Sequence, residues 1–87
     1  MNSSLNNFAR LCNQNKVARP LWRELVVISL RARNEELGGI EPTNSLQDFQ
    51  NKLAELEAEC LIEGIQATEK ISFLDVVKLI QDKEMNR

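Results

Sequence analysis

The feature that most constrains this chain is the segment from Pro20 to Leu37, which is bounded as a helix at both ends and apolar on two sides. Proline suits the first turn of a helix, where its fixed φ is helical and its missing N–H would have had no partner. Gly38 and Gly39 supply a left-handed stop after Leu37. At about 100° per residue, Leu21, Leu25, Ile28 and Ala32 form one row, and Trp22, Val26, Leu30 and Leu37 form a second, turned by roughly 130°, with Ser29 and Arg33 near its edge. A single amphipathic helix normally presents one apolar stripe, a little over about 100° wide. A helix with two such rows is therefore either central in its own bundle or shared with another chain.

The rest of the chain reads as further helices. Ser3 or Ser4 can cap a short first helix carrying Leu5, Phe8 and Cys12, on which Asn6, Asn7, Asn13 and Asn15 lower the intrinsic propensity. The stretch from Gly38 to Asn44 is a loop, and Ser45-Leu46-Gln47-Asp48 resembles a capping box that starts a third helix at Leu46. On that helix Leu46, Phe49, Leu53, Leu56 and Cys60 follow 3-4-3-4 spacing, and Ala54, Ala58, Leu61 and Ile65 make a second row of smaller residues. The pattern is too short for a coiled coil and suits ordinary bundle packing. A break is expected at Gly64, and a second cap-like sequence, Ser72-Phe73-Leu74-Asp75, opens a fourth helix on which Phe73, Val76, Val77 and Ile80 share a face. Residues 65–71 fit a helix extension, a turn or a short strand. The expectation is an all-α, three- to four-helix bundle forming one domain over residues 1–87, with a short hairpin near residues 61–73 left open.

Composition narrows the functional classes. The chain has 87 residues, 43% hydrophobic and 28% charged, which is ordinary for a folded domain and too apolar for a disordered one. It contains no His and no Tyr, so the commonest general acid and base is missing, along with every Ser–His or Cys–His pair. Neither an enzyme nor a cofactor or small-molecule substrate is expected. Cys12 and Cys60 lack CxxC spacing and have no histidine to complete a metal site. Free buried thiols in a reducing, cytoplasmic setting are the expectation, with a single disulfide or redox switch as the alternative. No apolar run reaches the roughly 18–20 residues of a membrane span, so membrane insertion is not expected.

Residues 1–43 carry six Lys/Arg against four Asp/Glu, whereas residues 44–87 carry five against nine. The face made by Asp48, Glu55, Glu59 and Glu63 is acidic apart from Lys52, and Arg23, Arg31 and Arg33 spread around the second helix without forming one patch. This distribution argues against nucleic-acid binding, which draws on concentrated positive charge. Pairing of these arginines with Glu24, Glu35, Glu36 or the acids of the third helix is expected instead.

Two local resemblances follow from these elements. Lys70 to Ile80 resembles the end of an EF-hand loop entering its second helix, with Ile71 at the aliphatic place and Asp75 at the bidentate acid. The ligand positions before it would hold Gly64, Gln66 and Thr68, with Glu69 in place of the tight-turn glycine, so the oxygen cage is missing. The chain is also similar to winged-helix DNA binders, with 45–60 as recognition helix and 61–65 with 70–73 as the wing, although that helix is acidic where phosphate and guanine contacts favour Arg and Lys. The leading expectation is a non-enzymatic interaction module, an adaptor, inhibitor or assembly factor. It would bind a protein partner or itself, as a homodimer, through Trp22, Val26, Leu30 and Leu37 flanked by Arg23 and Arg33; a helix-turn-helix or winged DNA-binding regulator is the alternative.

Overall fold

The computed structural model describes residues 3–66 and 70–85. They form four helices: α1 (Ser3–Gln14), α2 (Ala18–Leu37), α3 (Thr43–Ile62) and α4 (Phe73–Met85). The fold is a small all-α bundle in which α2 is the hub, packing against α3, α4 and α1. Among the described residues there is no strand. The hairpin left open near 61–73 does not form there: Leu61 and Ile62 are the last turn of α3, and residues 67–69 lie outside the described residues.

One core draws on all four helices. Leu5, Phe8, Ala9 and Cys12 enter it from α1, Ala18, Trp22 and Leu25 from α2, Phe49, Leu53, Leu56 and Cys60 from α3, and Val76 and Leu79 from α4, with Ile65 and Ile71 closing it from the connection. Burial of a large apolar side chain of this kind stabilises the fold by about 1.5–3 kcal/mol. Phe8 meets Trp22 edge to face, with ring centroids 6.2 Å apart and planes at 82°. That contact lets the Asn-rich α1 stay helical, because the packing compensates for weak local propensity.

The boundaries differ from the sequence reading wherever a polar side chain is used across the turn. Helix α2 begins at Ala18, before Pro20, because the Asn15 Oδ1 accepts hydrogen bonds from the Val17 and Ala18 N–H groups at 2.9 and 3.0 Å. These are the donors that a helix-capping side chain normally satisfies. Pro20 still lies in the first turn, where a helix tolerates its missing N–H. Helix α3 begins at Thr43, not Leu46, and Leu46 N–H already donates to the Pro42 carbonyl at 2.8 Å. The Ser45/Asp48 capping box is therefore not made.

The second one is. Asp75 N–H donates to the Ser72 Oγ at 3.3 Å, and Ser72 N–H donates to the Asp75 Oδ2 at 3.1 Å, the reciprocal pair that defines a capping box. Asp75, which resembled an EF-hand acid, is occupied by this bond. Among the described residues no group of three or more His, Cys, Asp or Glu side chains is arranged to hold a metal ion. No helix there is long and apolar enough to cross a membrane.

Candidate interaction surface on the second helix

The inner face of α2 is one continuous stripe. Ala18, Trp22, Leu25, Ser29 and Ala32 are all buried and follow one another at 4-3-4-3 spacing. Leu25 and Ala32 come from the first sequence row and Trp22 from the second; Ser29 joins them. Its hydroxyl donates to the Leu25 carbonyl at 2.8 Å, so a residue that reads as polar sits in the core with its bond made. Leu21 and Ile28 on one flank and Val26 on the other are half-buried against this core. Counting Ser29 as a core residue turns the two rows into the two edges of a single broad face.

The residues expected to bind a partner separate accordingly. Trp22 is buried under Phe8 and belongs to the chain's own core, so it is not a surface anchor. Val26 is half-buried beside it. Leu30 and Leu37 are exposed, at 38% and 69%. Arg23 is exposed and has no ion-pair partner among the described residues, whereas Arg33 reaches Glu36 at 3.2 Å.

The residue that the periodicity missed is Val27, which is 63% exposed and belonged to neither row. With it, the outer face of α2 also has heptad spacing: Pro20, Arg23, Val27, Leu30, Asn34 and Leu37 are spaced 3-4-3-4-3, and each is exposed. On helical geometry this stripe lies about 150° from the buried one. Its length, at 1.5 Å per residue, is about 25 Å. The signal was present in the sequence as a second 3-4 series, but Arg23 and Asn34 interrupt its hydrophobicity.

Beside Val27 lies a shallow groove of about 350 Å³, lined by Arg23, Glu24, Val27, Ile28 and Lys52. Its floor is fixed by Lys52, whose ammonium reaches Glu24 and Glu55 at 2.9 Å each. Hydrogen bonding to Glu24 first, and then to Glu55, holds this ammonium above the usual lysine pKa. Farther along, Arg31 ties α2 to α3 by donating from Nε to the Ser45 Oγ at 2.9 Å and from Nη2 to Asp48 at 2.5 Å, while the Ser45 hydroxyl donates to Glu35. Ser45 and Asp48 are thus spent on a bridge between helices, not on a cap.

The acidic face of α3 is partly consumed by such pairs, since Asp48 meets Arg31, Glu55 meets Lys52 and Glu63 accepts from Asn15 at 3.2 Å. The smaller-residue row of α3 is not packed inside the bundle: Ala54, Ala58 and Leu61 are exposed, and only Ile65, beyond the helix end, is buried.

The thiols of Cys12 and Cys60 meet in the core, with Sγ atoms 3.7 Å apart and both cysteines free. Burial, reinforced by the neighbouring sulfur, pushes the Cys12 thiol up to about 12, and burial also raises Cys60. Both are therefore neutral thiols at physiological pH, poor nucleophiles and poor metal ligands. Compared with models of known protein families, with characterised proteins and with solved structures, the chain matches none.

Proposed function

We propose that this protein is a small non-catalytic interaction module that associates through the outer face of α2. The observation that carries this reading is the exposed heptad stripe of Val27, Leu30 and Leu37 on the helix that already holds the rest of the bundle together. An a/d-type seam is what one helix uses to pack against another, and leaving it in water forgoes the stabilisation its burial would supply. Self-association is the simplest use of such a face. The sequence-level proposal of a partner surface on Trp22, Val26, Leu30 and Leu37 is accordingly moved outward by about one residue position, keeping Leu30, Leu37 and Arg23 and replacing Trp22 and Val26 with Val27.

Light scattering coupled to size exclusion, over a micromolar concentration series, tests the reading. The wild-type chain is expected to show a concentration-dependent mass above that of the monomer. The variant Leu30→Glu is expected to remain monomeric with unchanged helical circular dichroism, because it places a charge in the apolar contact but touches no core residue. A wild-type chain that stays monomeric, or a Leu30→Glu variant that associates as before, removes this face as the interface.

A further inference from the structure

From the distribution of charge along the outer stripe, we infer that α2 pairs with α2 of a second copy in antiparallel orientation, Val27 of each chain against Leu30 of the other. This rests on the reading of the α2 face as a self-association surface and specifies its geometry.

The stripe has an apolar centre, Val27 and Leu30, and polar positions on either side of it, Arg23 and Asn34. A homodimer with twofold symmetry uses the same patch on both chains, so every residue must suit whatever the symmetry places opposite it. When the second helix runs antiparallel about a centre between positions 28 and 29, Val27 faces Leu30, Arg23 faces Asn34, and Pro20 faces Leu37. Apolar groups meet apolar groups and the guanidinium meets an amide oxygen. Shifting the antiparallel register by one heptad puts Leu30 opposite Asn34 or Val27 opposite Arg23, and the match is lost.

Parallel pairing fails for a separate reason. It stacks each position on itself, so Arg23 would face Arg23, and like charges in contact disfavour the pair. The flanking positions favour the antiparallel choice as well. Glu24 and Arg31 border the stripe on the same side, one heptad apart, and both remain about half exposed despite their contacts with Lys52 and Asp48. In the antiparallel register Glu24 of each chain lies alongside Arg31 of the other, which gives two opposite-charge pairs related by the twofold axis. In the parallel arrangement the corresponding flanking partners are Arg19 with Glu24, Val26 with Arg31 and Arg33 with Gly38; only the first joins opposite charges, and Arg19 is half-buried and already donates to the Asn13 carbonyl. The groove lined by Arg23, Glu24, Val27, Ile28 and Lys52 adjoins Val27 on that same side, open to the incoming Leu30 of the second copy.

Charge exchange tests the register. Glu24→Arg makes that flank basic in both chains, and Arg31→Glu makes it acidic in both, so each variant alone places like charges in contact twice. Mixed together they restore both pairs. Sedimentation equilibrium at low salt, with native mass spectrometry of the mixture, is expected to show each single variant dimerising about tenfold or more weakly than wild type. The 1:1 mixture is expected to recover dimer that is predominantly heterodimeric. Recovery on mixing also answers the concern that either change disturbs the fold through Lys52 or Asp48, since a misfolded chain would not regain a partner. If wild type dimerises but the variants dimerise equally well and mix at random, the antiparallel register is wrong while self-association stands. If wild type is monomeric throughout, both fall.

Discussion

Helices α2 and α3 end in the same backbone motif and put it to opposite uses. At the end of α2, Ile40 N–H donates to the Glu35 carbonyl at 2.8 Å and Gly39 N–H to the Glu36 carbonyl at 3.0 Å. At the end of α3, Ile65 N–H donates to Cys60 at 2.8 Å and Gly64 N–H to Leu61 at 3.3 Å. In both, the glycine sits at φ +77° and an isoleucine follows it, the Schellman arrangement in which the following residue can fold back on the helix. Ile65 is 9% exposed and belongs to the same core as Cys12 and Cys60, whereas Ile40 is 61% exposed. Local sequence specifies how a helix stops. Whether the residue after the stop is buried depends on what the rest of the chain brings to that end: α1 arrives at one, a polar bridge occupies the other.

The contrast is sharpest in alkali. At the Ile65 end the Cys12 thiol is held neutral, its pKa pushed up to about 12 by burial and by Cys60. Below the ordinary thiol value of about 9 the group is protonated whether the chain is folded or unfolded, so stability is unaffected. Above it the unfolded chain loses the proton first, and stability falls with rising pH until the folded-state value is passed. The other end is held by the Arg31–Ser45–Asp48 bridge, which contains no thiol. Denaturant unfolding between pH 8 and 12 should therefore show a decline that is smaller in Cys12→Ala than in wild type. An identical pH dependence in the two proteins would mean that the thiol pair does not hold this end.

Truncating the two isoleucines separates the ends at neutral pH. Ile65→Ala is expected to destabilise the fold by about 2–4 kcal/mol, because it removes core packing and leaves a cavity. Ile40→Ala should stay within about 0.5 kcal/mol, as an exposed substitution outside any network. Comparable losses at the two sites would show that Ile40 is covered in solution, and dilution would then tell whether a second copy covers it.

The shared part of the motif predicts a shared cost. Gly39→Ala and Gly64→Ala each force a Cβ into left-handed backbone with open space around it, so strain alone acts, at about 1–2 kcal/mol for either. Gly38→Ala meets only ordinary contacts at 3.5 Å and has a negative φ, so it should cost nothing comparable. Thermal melts of the three variants check this; a Gly38 variant as unstable as the Gly39 one would overturn the assignment of the stop to Gly39.

Much of this architecture was legible in the residues. The 3-4 series on α3, the breaks at Gly38-Gly39 and Gly64, and the Ser72/Asp75 box all correspond to elements of the fold, because each depends on contacts within a few residues. What periodicity misassigned were side chains whose burial is decided by how the helices pack together. Ser29 reads as polar yet fills the inner stripe, and its bond to Leu25 explains why it can. Val27 falls in neither apolar row, and the buried stripe leaves it outside and aligned with Leu30 and Leu37. Trp22, one candidate for an anchor, is claimed by Phe8 of α1, the short helix that the Ser3/Ser4 cap and the Leu5, Phe8 and Cys12 spacing predict.

The same contrast between local and tertiary bonding separates two serines that look alike in sequence. Ser45-x-x-Asp48 and Ser72-x-x-Asp75 both fit a helix start, but only Ser72 accepts from the backbone N–H of its own first turn, while Ser45 accepts from Arg31 on the neighbouring helix. Ser72→Ala should cost about 1 kcal/mol as a lost cap, and Ser45→Ala about 1–3 kcal/mol, because it removes the bonds to both Arg31 and Glu35. Their energies alone do not tell them apart. Amide exchange does: Ser72→Ala should speed exchange at Asp75, whose N–H loses its acceptor, whereas Ser45→Ala should leave the Leu46 amide as it was, since that group donates to the Pro42 carbonyl. Faster exchange at the start of α3 in Ser45→Ala would mean that Ser45 supports the helix as well as the bridge. The same four-residue pattern would then be doing at both places what it does at Ser72.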